Sequence, residues 1–286
     1  MPLYKPSELR TFLDGLGVFA KKSLSQNFLI DANILQKIVA LGNIDKDDLI
    51  LEIGPGPGAL TESLLQTKAS ILAVEKDPIF AKELLRLQTE HLQLTVFEDD
   101  ILKFPIENVL EKHLKKGKKA KLIANLPYHL TTPILAKVIP MHSYFSTIIV
   151  MVQEEVAKRF VAHPGNADYS SFTVFLNFYS TPVYGFKVSR KCFYPVPKVD
   201  SAVVVLNLKE APNINTEAFF KLTRTAFGQR RKMMRASLSS LYSSKDIMEA
   251  LEKLGKNPLS RPEELSLNEF LALFELLSSC YLNIHK

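Results

Sequence analysis

Between Leu49 and Leu208 this chain alternates short apolar runs with stretches of helical period, and no other feature of the sequence restricts its fold so strongly. The runs of strand length are Leu49 to Ile53, Ser70 to Val74, Leu92 to Phe97, Lys121 to Ala124, Thr147 to Gln153, Val183 to Val188 and Ala202 to Leu208. Strands separated by helices are expected to lie parallel in one sheet with the helices covering it, which is an α/β fold. The last two runs are joined through Tyr194-Pro195-Val196-Pro197, with no room for a crossover helix, so they are expected as an antiparallel pair at one edge.

Beyond Leu208 the pattern breaks at Lys209 to Asn215, which contains Pro212, and every later stretch reads as helix. The 286 residues therefore divide into a domain over 1–208, with a helical lead-in before Leu49, and a small all-helical domain over 209–286. No apolar run approaches the roughly 20 residues of a membrane helix, and Met1 to Lys22 lacks the apolar stretch of a secretory signal. A cytoplasmic monomer without a membrane partner is the expectation. Cys192 and Cys280 lack the paired spacing of a zinc or disulfide framework, so both read as reduced thiols and no metal is expected.

The net charge of +6 is too small to identify a polyanionic ligand, and its distribution says more. Lys112, Lys115, Lys116, Lys118, Lys119 and Lys121 crowd a segment that reads equally well as a solvated loop. Lys221, Arg224, Arg230, Arg231, Lys232 and Arg235 instead interleave with Phe219, Phe220, Phe227, Met233 and Met234 at helical spacing. A helix with one apolar and one basic face suits nucleic-acid phosphates. Arg224, Arg230, Arg231, Lys232 and Arg235 are the candidate RNA-binding residues.

Leu49-Ile50-Leu51-Glu52-Ile53 runs straight into Gly54-Pro55-Gly56-Pro57-Gly58 and then into Ala59 to Leu65, which reads as strand, tight turn and helix. A nucleotide moiety sits at such a turn. The spacing is GxGxG, where a dinucleotide turn has GxGxxG, and Pro55 and Pro57 have no amide hydrogen to give a phosphate. The loop is therefore a poor anion nest and better suited to a phosphate-free cofactor such as S-adenosylmethionine. Gly54, Gly56 and Gly58 leave room for such a ligand to approach the backbone. Glu75 follows the turn by about 20 residues, the position of a carboxylate that accepts from ribose hydroxyls. Asp99 and Asp100 close the third strand, where one of them can accept from the adenine amine; capping the following helix would use the same chemistry.

Asn125-Leu126-Pro127-Tyr128 follows a short strand and so falls at the carboxyl end of the sheet, beside the cofactor. The exocyclic amine of adenine is a weak nucleophile because its lone pair is delocalised into the ring, and an enzyme must favour its tetrahedral form. The Asn125 side-chain oxygen and the backbone carbonyl of Leu126 or Pro127 can accept its two hydrogens. A methylated amine is acidic, so no strong general base is required. Tyr128 can stack on an adenine turned out of its helix, and Phe193 is the candidate for the opposite face of that base.

Together, Ser25-Gln26-Asn27-Phe28-Leu29, Glu52 to Gly58, Asn125 to Tyr128, Phe193 to Ala202 and Phe227-Gly228-Gln229-Arg230-Arg231-Lys232 resemble the KsgA-like family of ribosomal RNA adenine dimethyltransferases. That family is similar also to the Erm antibiotic-resistance methylases. The resemblance spans nearly the whole chain and implies a Rossmann-like methyltransferase sheet with an RNA-docking helical domain. It implies that Asn27 and Leu29 join Gly54, Glu75, Asp100 and Asn125 in the cofactor site, and it selects Asp100 over Asp99. The implied reaction is dimethylation of two adjacent adenosines near the 3' end of small-subunit (16S) ribosomal RNA, in a partly assembled 30S subunit. Ser25 stands where the family usually has glycine and His129 where asparagine is common, and neither removes a catalytic group. His129 reads as a supporting or surface residue rather than a base. The competing readings are an Erm-like methylase of large-subunit RNA, a non-catalytic RNA-binding assembly or transcription factor, and a DNA adenine methylase.

Overall fold

Strands buried on both faces are built from nearly continuous apolar runs, and Leu49–Ile53, with all five residues buried and only Glu52 charged, is such a strand. The computed structural model of the chain describes residues 3–18, 27–229 and 232–284, with side chains described through residue 278. Ser25, Gln26, Arg230, Arg231 and the side chain of Cys280 therefore lie outside the described residues. By their internal contacts the described residues form two units, 1–157 with 180–210, and 158–179 with 211–286.

The strands of the first unit are β1 (Phe28–Leu29), β2 (Leu49–Ile53), β3 (Ser70–Glu75), β4 (Leu94–Glu98), β5 (Ala120–Asn125), β6 (Phe145–Gln153), β7 (Ser180–Val188), β8 (Phe193–Tyr194) and β9 (Ser201–Leu208). Seven of them form one sheet in the order β4-β3-β2-β5-β6-β9-β7. The first five run parallel. β9 pairs antiparallel with both β6 and β7, which makes β7 the edge strand of the expected antiparallel pair. All seven strand runs read from the sequence are present. The lead-in was read as helical only, but Phe28–Leu29 pairs antiparallel with Phe193–Tyr194 in a separate two-stranded sheet. Two residues carry no detectable periodicity, and this pairing joins segments far apart in the chain.

From β2 the chain winds one way through β3 to β4, and then crosses back to β5 and β6 on the other side. Ligands of such sheets bind at this reversal, outside the carboxyl ends of the adjacent strands. Here those ends carry the glycine turn after β2 and Asn125 at the end of β5.

In the second unit the helices are Ser171–Tyr179, Thr216–Gly228, Met234–Ser237, Ser244–Lys253 and Leu267–Ile284. The boundary expected after Leu208 falls after Glu210, and residues 158–179 group with the C-terminal helices rather than with the sheet. The reason is aromatic packing. Phe178 from Ser171–Tyr179 lies 5.3 Å from Phe219 and 5.0 Å from Phe220, distances at which ring pairs attract beyond their buried area. The basic helix expected through Arg235 is interrupted: Thr216–Gly228 ends at its glycine and a separate short helix starts at Met234.

Candidate active site

A cavity of about 310 Å³ opens at the carboxyl ends of the parallel strands of the first unit. Its wall draws on Asn27, Leu29, Gly54, Gly56, Glu75, Asp100 and the Asn125-to-Tyr128 segment, residues from five separate stretches of chain.

The glycine turn takes three left-handed residues, with φ of +63° at Gly54, +54° at Gly56 and +96° at Gly58, which disfavours any side chain. A Cβ at Gly54 would project into open space, whereas one at Gly56 would meet the Phe28 ring at 3.2 Å. Gly58 was expected in the cofactor site, but it does not line the cavity. Its Cβ would strike Leu84 at 2.8 Å, so it serves the packing of helix Ala59–Leu65 against the following helical segment. Every glycine amide of the turn is already used: Gly54 N–H donates to the Val74 carbonyl, Gly56 N–H to Glu75 Oε2 and Gly58 N–H to the Pro55 carbonyl. With two prolines between them, the turn has no amide left over for a phosphate.

Glu75 is buried, and its two oxygens accept 2.8 Å bonds from the amides of Gly56 and Asp77. Burial pushes its carboxyl up, and the two amides pull it back. Asp100 Oδ2 accepts from the Lys76 ammonium at 2.8 Å, and Oδ1 accepts from the amide of Leu102 at 3.0 Å. The Lys76 hydrogen bond holds this carboxyl below its ordinary value. Asp100 caps no helix, since the next one starts at Ile106 after Pro105; its Oδ1 closes a local turn two residues on.

Asn125 ends β5 and donates from Nδ2 to the Asn27 carbonyl at 3.2 Å. With the nitrogen committed, Oδ1 is left as an acceptor with no hydrogen bond among the described residues. Pro127's carbonyl closes the following turn by accepting from Leu130 N–H at 2.9 Å, so of the two candidate carbonyls that of Leu126 is the less engaged. Tyr128 is half-buried, and its phenol makes a 2.7 Å hydrogen bond with the Ser201 hydroxyl. His129 is exposed at the cavity's rim.

Phe193 is not brought to this cavity. Its side chain is 1% exposed within the apolar core beneath the sheet, and a ring so enclosed has no face to offer a base. Strand alternation in β8 turns Phe193 inward and leaves its neighbour Tyr194 half-buried.

Sequence reading missed Glu52. It is 1% exposed on β2, it lines the cavity, and neither carboxylate oxygen has a hydrogen-bond partner among the described residues. Burial pushes its carboxyl up to about 8, and the charge of Glu75 adds to it. A single charged residue inside a five-residue apolar strand was the available signal. An unpaired buried acid beside a turn with no spare amides suits a cationic, phosphate-free nucleoside, and S-adenosylmethionine, with its ammonium and sulfonium, fits that description.

The candidate phosphate contacts lie in the second unit. Arg224 is exposed on Thr216–Gly228 and Lys232 is exposed beyond it, while half-buried Arg235 turns its guanidinium to the Met248 sulfur at 3.7 Å. Arg230 and Arg231 lie outside the described residues. In the first unit three of the six lysines of the run are engaged: Lys115 pairs with Asp47, Lys121 with Asp48, and Lys119 donates to the His142 carbonyl.

The profile of the ribosomal RNA adenine dimethylase family matches residues 18–279. The ribosomal RNA small subunit methyltransferase A of Protochlamydia amoebophila is 60% identical over 281 residues, 98% of this chain and 99% of the relative. Among solved structures, a dimethyladenosine transferase from Plasmodium falciparum superposes with a TM-score of 0.72 at 26% identity, covering 86% of this chain and 95% of that one. The 23S ribosomal RNA methyltransferase ErmE follows at 0.67 and 26%, covering 88% and 100%.

Proposed function

The chain belongs to the ribosomal RNA adenine dimethylase family, and from that premise we propose that it dimethylates the N6 amine of two adjacent adenosines near the 3' end of small-subunit ribosomal RNA. It is an S-adenosylmethionine-dependent enzyme of ribosomal RNA. The small-subunit assignment follows the relative with 60% identity rather than the more distant ErmE.

The observation that carries the mechanism is the commitment of Asn125 Nδ2 to the Asn27 carbonyl at 3.2 Å. It orients the amide so that Oδ1, with the Leu126 carbonyl, can accept the two hydrogens of the target amine and turn its lone pair toward the methyl donor. Bound in the cavity, S-adenosylmethionine supplies an electrophilic methyl group. Glu75 is the acceptor for its ribose hydroxyls and Asp100 for its adenine amine, with Asn27 and Leu29 at the methionine end and Gly54 and Gly56 backing it. Tyr128 stacks on the extruded base. The proton leaves to the same acceptors or to water, so neither His129 nor a carboxylate is required as a base. Arg224, Arg230, Arg231 and Lys232 contact RNA phosphates, the substrate being a partly assembled 30S subunit and the enzyme a cytoplasmic monomer. Among the described residues no helix is long and apolar enough to cross a membrane, and no cluster of side chains could hold a metal.

The test is transfer of labelled methyl from S-adenosylmethionine to small subunits lacking the modification, followed by nucleoside analysis. Recovery of N6,N6-dimethyladenosine is expected. Incorporation only into large-subunit RNA would overturn the assignment.

A further inference from the structure

Phe193 is enclosed in the core, so among the aromatic residues proposed to touch the target base Tyr128 alone lines the cavity. The orientation of one ring then decides how the base is seated. Tyr128 stands in a short 3-10 turn, Tyr128–Leu130. The only hydrogen bond described for its phenol is to Ser201 Oγ at 2.7 Å, and that hydroxyl has no other described partner.

Ser201 is well placed to hold a ring still. It is fully buried at the start of β9, where it pairs with Gln153 of β6 on one side and Val188 of β7 on the other. The residue before it, Asp200, is clasped from three directions. Its Oδ1 accepts from the Arg190 backbone amide and Nε, both at 3.0 Å, and its Oδ2 lies 3.0 Å from Lys187 Nζ. Its carbonyl accepts from the Glu154 amide at 3.0 Å. Arg190 also donates to the Lys198 carbonyl, closing the intervening loop. A buried serine on a strand paired on both sides, beside a multiply bonded aspartate, moves little. Burial also pushes the Tyr128 phenol up, so its hydroxyl keeps its proton and the bond persists across neutral pH.

We propose that Ser201 is a positioning residue for methyl transfer, holding the Tyr128 ring through its hydroxyl in the orientation that receives the flipped adenine. The inference rests on the reading of Tyr128 as the stacking ring.

The experiment is a double-mutant cycle on single-turnover methyl transfer to unmodified small subunits, using wild type, Ser201→Ala, Tyr128→Phe and the double variant, with cofactor affinity and thermal stability measured alongside. Tyr128→Phe keeps the ring and removes only the bond. Each single variant is expected to slow transfer roughly five- to tenfold, the factor equivalent to about one neutral hydrogen bond. The double variant is expected to be no slower than either single one, with cofactor affinity unchanged in all. Additive losses would show that Ser201 acts on the fold and overturn the proposal, as would full activity in either single variant. Should Ser201→Ala fail to fold, Tyr128→Phe decides by itself: slowed transfer supports the proposal and wild-type transfer overturns it. Tyr128→Ala separates the parent reading, because transfer surviving loss of the whole ring would remove Tyr128 from stacking altogether.

Discussion

Glu75 Oε2 accepts a 2.8 Å hydrogen bond from the amide of Gly56, nineteen residues earlier in the chain. The acid at the end of β3 and the turn after β2 are thereby one unit: the carboxylate that is to hold ribose also sets the turn that backs the cofactor. Its other oxygen is held by the amide of Asp77, at the start of the next helix.

Glu75→Gln therefore loses an acceptor toward the cofactor and places an amide NH₂ against a backbone N–H on one side. Cofactor affinity is expected to fall at least tenfold, in line with about 1.5–3 kcal/mol for a hydrogen bond to a charged group. Titration calorimetry with S-adenosylhomocysteine checks this, and affinity equal to wild type would detach Glu75 from the site.

Asn125→Ala removes the oriented acceptor while leaving β5 and its neighbours paired. Single-turnover transfer is expected to drop by roughly 10²–10³, the scale of losing one oriented transition-state partner, with circular dichroism and cofactor affinity near wild type. A loss confined to cofactor affinity would reassign Asn125 from chemistry to binding.

Glu52 makes the apo protein's stability depend on pH. Its folded carboxyl sits at about 8 against an ordinary value of 4.5. The folded state holds this proton where the unfolded chain has released it, so Glu52's contribution is fully present below about pH 4.5 and is lost as pH rises toward about 8. Glu52→Gln removes that loss and is expected to stabilise the cofactor-free protein at pH 8 by on the order of a few kcal/mol, and far less at pH 5. Denaturant unfolding at both values measures the difference, and equal gains at the two would exclude Glu52 as its source.

Replacing Arg230, Arg231 and Lys232 together by alanine is expected to weaken RNA binding and to lower the slope of log affinity against log salt by up to about two to three, as each lost phosphate contact removes about 0.7–0.9. An unchanged slope would take these residues out of the interface.

The sequence by itself determined what depends on neighbours along the chain. The inner strands of the large sheet were legible because a strand buried on both faces is built almost wholly of apolar residues, and the turn was legible because its glycines and prolines restrict backbone dihedrals locally. Asn125 and Glu75 could be placed for the same reason, as residues at strand ends. Tertiary structure decided whatever joins distant segments. Only the fold showed that Phe193 is locked into the core by pairing with Leu29, that Gly58 packs against Leu84 rather than a ligand, and that residues 158–179 belong with the C-terminal helices. It also supplied the partners that orient the chemistry, Asn27 for Asn125 and Ser201 for Tyr128, at separations of 98 and 73 residues. A hydrogen bond across such a span leaves no periodicity in either segment, because it arises only when the sheet has brought the two strand ends together.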